Sequence, residues 1–149
     1  DDVEHLATAV LSACRAAGLM TVTAESCTGG LVSAALTAIA GSSDVVDRGF
    51  VTYTNEAKQE MLDVPPAILA AHGAVSAETA RAMAEGALLH SRASISVSVT
   101  GIAGPGGATS DKPVGLVHFA AKRGDRLVLR EESFGAVGRA EVRRRSVLV

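Results

Sequence analysis

The chain has 149 residues, 48% of them hydrophobic and 20% charged, with a net charge of −2 and a sequence pI of about 6.1. That length is enough for one domain with a substantial core. The charge balance gives no electrostatic case for nucleic acid as a partner, and no apolar run approaches the ~18 residues of a membrane span. Two cysteines, Cys14 and Cys27, make no disulfide framework, so reduced thiols and a cytoplasmic location are expected.

The start, DDVEHLATAV, is acidic and amphipathic, without a signal-peptide pattern. It also lacks a Met, so the numbering is expected to begin inside the natural chain. Residues 3–18 read as a helix with Leu6, Val10, Cys14 and Ala17 on its apolar face, closed by Gly18. MTVTAE (20–25) is short and β-branched and predicts a strand. GGLVSAALTAIAG (29–41) predicts a helix ending at Gly41, DRGFVTYT (47–54) a second strand, and NEAKQEML (55–62) a short helix N-capped by Asn55. Pro65 and Pro66 interrupt the chain and restart a helical turn near AILAAHG.

SAETARAMAEGALLHS (76–91) carries the clearest helix signals. Ser76 is a good N-cap, Glu78 complements the dipole, and Ala80, Met83, Ala84, Ala87 and Leu88 form the stripe. ASISVSVT (93–100) alternates as a strand should. Residues 113–134 read as two strands around a Gly124-Asp125 turn. GRAEVRRRSVLV (138–149) reads as a helix interrupted mid-pattern, so further C-terminal residues are expected.

This order predicts a single α/β domain over residues 1–149. The expected architecture is a three-layer α/β/α sandwich with a mixed, mostly parallel sheet and a C-terminal antiparallel hairpin. Ligands gather at the carboxyl ends of parallel strands. Three such ends fall on unusual segments: Glu25 to Gly30, Tyr53 to Asn55, and Thr100 to Gly104.

In the first, Gly29 and Gly30 open a helix directly after a strand, and Ser26 and Thr28 add hydroxyls. A phosphate would fit the unpaired helix amides, although a plain capped turn explains the same residues. The order G-x-x-G-x-G-G in TGIAGPGG is not a dinucleotide fingerprint. Cys27 as a nucleophile would need a base, and none of His5, His72, His90 and His118 can be placed beside it. No zinc-ligand spacing is present. Segment 41–58 holds Ser42, Ser43, Tyr53 and Lys58. A serine–lysine pair can perform acyl transfer if the lysine is neutral, but on spacing alone a solvated Lys58 beside Glu56 or Glu60 and a turn-capping Ser42 or Ser43 explain these residues better.

AESCTGG, AGSSDVVDRGFVTYTNEAK, HGAVS, VTGIAGPGG, KPVGLV and GRAEVRR occur in that order. Together they resemble the C-terminal domain of the competence/damage-inducible protein A (CinA) family, over nearly the whole chain from Leu6. Many members also carry an N-terminal domain similar to molybdopterin-binding proteins, which these 149 residues lack. Stand-alone members are nicotinamide-nucleotide amidohydrolases.

The resemblance implies hydrolysis of nicotinamide mononucleotide to nicotinate mononucleotide and ammonia, by a serine mechanism needing no metal or cofactor. It implies Ser43 as nucleophile, Lys58 as general base and Tyr53 as proton relay. Ser26, Thr28, Gly29 and Gly30 would then cradle the phosphate, with Thr100, Gly101 and Arg139 lining the pocket. The only partner expected is the nucleotide substrate, with no nucleic acid or membrane, and small-residue helix faces suggest a homodimer. The alternative is a non-catalytic nucleotide-binding or interaction module built on the same loops.

Overall fold

A computed structural model describes residues 1–149. Helix α1 (Asp2–Ala17) starts at Asp1, whose carboxylate accepts the Glu4 amide, and stops at Gly18 in the left-handed region. Strand β1 (Thr21–Glu25) leads into α2 (Leu31–Thr37), which is shorter than the pattern predicts. Residues Ser42–Asp44 form a 3-10 turn before β2 (Val46–Val51). Helix α3 (Asn55–Leu62) matches its expected bounds, but its cap is Thr54, whose hydroxyl accepts the Ala57 amide. Then come α4 (Pro66–His72), α5 (Ala77–Leu89) and β3 (Ile95–Gly101). The chain ends with β4 (Leu116–Arg123), β5 (Arg126–Ser133) and α6 (Arg139–Leu148).

The five strands form one sheet in the order β2-β1-β3-β4-β5. Strand β1 pairs in parallel with β2 and β3, whereas β4 is antiparallel to both neighbours. Four strands therefore point one way, and β4 returns through the predicted hairpin. Side chains alternate across the sheet. Val22 and Ala24 pack with Leu62, Leu69, Met83 and Ala87 of α3 to α5 on one face. The other face is covered by α1 and α2, through Ala7, Leu11, Cys14 and Leu36, and by Val142 of α6. This is the expected three-layer sandwich. No helix is long and apolar enough to cross a membrane.

Helix α5 lies close to the sheet because its facing residues are small. Ser96 and Ser98 donate to the Ala84 and Ala80 carbonyls of α5, at 2.9 and 2.6 Å. Gly86 makes room for α3, since a Cβ there would stand 1.9 Å from the Leu62 carbonyl oxygen. The apolar stripe of α1 keeps the predicted Cys14 but otherwise lies one residue further along. Ala7, Leu11 and Cys14 are buried, while Leu6 and Val10 are 47% and 44% exposed beside a cavity of about 340 Å³ between α1, the sheet and α6.

Candidate active site

The carboxyl ends of β1 and β2 bring Ser26 and Lys58 together. Lys58 is one turn into α3, and the fold turns it inward: it is 1% exposed. Its Nζ lies 2.9 Å from Ser26 Oγ, 2.8 Å from the Thr52 carbonyl oxygen and 3.3 Å from that of Tyr53. No carboxylate pairs with it. Burial without a counter-ion disfavours the ammonium form, and the pKa falls from 10.5 to about 8. A neutral amine suits these neighbours. All three accept from Nζ in the ammonium form; once the amine is neutral, above about 8, two N–H bonds can serve the carbonyls while the lone pair accepts the serine hydroxyl.

Ser43 takes no part in this cluster. It lies in the turn before β2, so the length of that strand, about 20 Å at ~3.3 Å per residue, separates it from the Lys58 end. The turn is fastened elsewhere. Arg15 Nη2 donates to the Asp44 carboxylate and to the Gly41 carbonyl, each at 2.9 Å. The assignment of Ser43 beside Lys58 is therefore corrected, and the hydroxyl within reach of the amine belongs to Ser26.

The phosphate cradle is corrected too. The Glu25 carboxylate, on a residue 1% exposed, already fills the amino end of α2. It accepts the Gly30, Val32 and Ser33 amides at 3.2, 2.9 and 2.9 Å, and the Thr28 hydroxyl at 2.6 Å. Thr28 is fully buried, and the Gly29 amide donates to the Ser26 carbonyl. An incoming anion would meet a carboxylate there instead of free donors. Of the four residues named for this cradle, only Ser26 keeps a hydroxyl at the site.

Thr100 and Gly101 have internal duties. The Thr100 hydroxyl, on a residue 1% exposed, donates to the Ala74 carbonyl at 2.8 Å. A Cβ on Gly101 would stand 2.6 Å from Val117 Cγ2, so this glycine serves the pairing of β3 with β4. Arg139, the first residue of α6, does reach the site: its guanidinium donates to Tyr53 Oη at 2.6 Å and to the Gly104 carbonyl at 2.9 Å. Tyr53 is 56% exposed, and its own carbonyl accepts from Lys58.

Cys27 is 5% exposed, and burial pushes its thiol up to about 11, the reverse of what a thiolate nucleophile needs. Arg143 belongs to a cluster of four arginines on α6 that spacing alone does not tell apart. Its Nε and Nη2 donate to the carbonyls of Cys27 and Thr28, at 3.1 and 3.3 Å.

These features define an α/β sandwich with a buried serine–lysine pair at the carboxyl ends of its parallel strands. The family model described as the CinA C-terminal domain matches residues 3–149, and the chain belongs to that family. Its backbone is similar to the competence/damage-inducible protein CihA from Agrobacterium tumefaciens, with TM-score 0.97 and 54% identity, covering 99% of this chain and 90% of that one. A CinA superfamily protein from Escherichia coli matches with TM-score 0.94 and 34% identity, over 98% of this chain and 84% of that one. A CinA-like protein of Parasynechococcus marenigrum is 47% identical over 146 residues, which is 97% of this chain and 35% of that protein. One from a Geobacter species is 58% identical over 106 residues, 71% of this chain and 26% of that protein. The chain thus spans roughly a quarter to a third of the length of the curated relatives it matches.

Proposed function

We propose that the chain is an amidohydrolase that converts nicotinamide mononucleotide to nicotinate mononucleotide and ammonia, with Ser26 as nucleophile and Lys58 as general base. The observation that carries this reading is the 2.9 Å contact between Ser26 Oγ and a buried amine with no anionic partner. The substrate comes from the family resemblance of the sequence motifs, and the serine–lysine contact supplies the chemistry that an amide needs.

Neutral Lys58 removes the Ser26 proton as Oγ attacks the carboxamide carbon. The Cys27 amide, which donates to no oxygen of the protein and has its own thiol as neighbour, is the donor assigned to the developing oxyanion. Collapse of the tetrahedral intermediate breaks the C–N bond, and the lysine proton leaves with ammonia. Water then repeats the sequence on the acyl-enzyme, releasing the carboxylate and restoring Ser26. Tyr53, whose phenol is oriented by Arg139 and whose carbonyl is bonded to Lys58, is the group assigned to pass the proton toward the leaving group.

Ammonia release from nicotinamide mononucleotide tests the reading. The wild type should turn over, Ser26→Ala and Lys58→Met should not, and Ser43→Ala should match the wild type. Retention of the intact nucleotide by a folded wild type would instead favour the binding module.

A further inference from the structure

Four arginines lie on α6, and three have evident partners. Arg144 and Arg145 share Glu141, at 2.7 and 2.9 Å, and Arg139 holds Tyr53 and Gly104. Arg143 is half-buried and pairs with no carboxylate; its side-chain hydrogen bonds go to the carbonyls of Cys27 and Thr28. It lies so close to this turn that a Cβ on Gly29 would stand 3.2 Å from Nη2, and Gly29 also has φ +56°. The turn is thus shaped to receive a guanidinium.

The bonds continue in series beyond the arginine. Nη2 donates to the Thr28 carbonyl, and the other end of that peptide group is the Gly29 N–H. That N–H donates to the Ser26 carbonyl at 3.0 Å, and the other end of the second peptide group is the Cys27 N–H. In trans peptides the N–H and C=O point in opposite directions, so each bond orients the next donor. Hydrogen bonds in such a chain polarise one another. A fixed cation at one end makes the N–H at the far end a stronger donor to an anion.

We propose that Arg143 is a positioning residue for acyl transfer. Through the Thr28–Gly29 and Ser26–Cys27 peptide groups, it orients and polarises the Cys27 amide toward the oxyanion formed at Ser26. This deepens the reading of Ser26 as nucleophile and rests on it. Arg143 touches no reacting atom, and its influence should appear where charge develops on the attacked oxygen.

The experiment compares the wild type, Arg143→Gln, Arg143→Lys and Ser26→Ala. Three quantities are read: turnover of nicotinamide mononucleotide, inhibition by 3-pyridineboronic acid, and inhibition by nicotinate mononucleotide. The boronic acid forms a tetrahedral adduct as Ser26 Oγ bonds to boron and its proton passes to Lys58. The nicotinate nucleotide reports ground-state binding.

In Arg143→Gln, kcat should fall by about 10-fold to 100-fold, at or below the cost of losing a whole oxyanion donor. The boronate inhibition constant should rise by the same factor, with that of nicotinate mononucleotide unchanged. Arg143→Lys keeps the charge and should recover part of both. Wild-type kcat and boronate affinity in Arg143→Gln, with Ser26→Ala inert, would overturn the relay alone. A parallel loss of both affinities with a lowered Tm would reduce Arg143 to a structural tie and overturn it as well. Full turnover by Ser26→Ala would remove the functional reading beneath it.

Discussion

Two serine-bearing turns lie at opposite ends of the sheet. The turn after β1 presents Ser26, and the turn before β2 carries Ser43. Both are short, polar and glycine-flanked. The first is held from both sides, by the Glu25 carboxylate on its amides and by Arg143 on its carbonyls, and it faces a buried lysine. The second is tied by Arg15 to the surface of α1 and faces no base. Parallel strands gather function at their carboxyl ends, and a serine preceding a strand arrives at the wrong end whatever its neighbours in sequence.

The largest expected effect tests that comparison directly. Ser26→Ala should lower kcat by about 1,000-fold or more, as loss of an acylated serine does, with the fold intact by circular dichroism. Ser43→Ala should leave turnover and stability unchanged. The reverse outcome would move the chemistry to the other end of β2.

Next is the base. Lys58 binds its proton below about 8 in the folded chain, whereas 10.5 is its ordinary value. The neutral base is therefore present above about 8, and kcat/KM should climb through that pH and level off. Between 8 and 10.5 the unfolded chain binds a proton that the folded chain does not. The contribution of this group to stability thus rises with pH across the window, and it is lost as pH falls through 8. Lys58→Met should abolish turnover and flatten this part of the stability profile measured by urea unfolding. A pH–rate profile without an inflection near 8 would argue against Lys58 as the base.

The acidic grip on the Ser26 turn comes third. Glu25→Gln sets an amide N–H against the Ser33 N–H in place of the carboxylate oxygen that accepts it, and should cost about 2 kcal/mol in urea unfolding. A variant as stable as the wild type would show that the turn does not depend on this carboxylate. The last effect is at Tyr53. Tyr53→Phe removes the hydroxyl bonded to Arg139 and should lower kcat by roughly 10-fold to 100-fold if the phenol carries the proton, at or below the lower end for general acid–base groups. An unchanged kcat would confine Tyr53 to the wall of the site.

Periodicity and capping made much of the fold legible in the sequence. The Ser76 cap and the Ala80, Met83, Ala84, Ala87 stripe fixed α5, and Gly124-Asp125 fixed the final hairpin. The family motifs identified the domain, and the carboxyl-end rule pointed to the ends of β1, β2 and β3, of which the first two hold the serine–lysine pair. These are local signals, carried by residues a few positions apart. What failed was pairing across distance. A mean over a helix such as NEAKQEML reads polar, so nothing local says that Lys58 is buried alongside Leu62. Nor does a glutamate beside a glycine turn announce that it will occupy the helix amides itself.

Only the tertiary structure decided which serine meets the amine, because that contact joins residues 32 positions apart across two strand ends. It also decided that Arg143, 116 positions from Cys27, closes over the turn. Sequence determined the elements through backbone propensity and the alternation of apolar residues. Burial then determined the chemistry, since removing water from one lysine and denying it a carboxylate is a property of the assembled core.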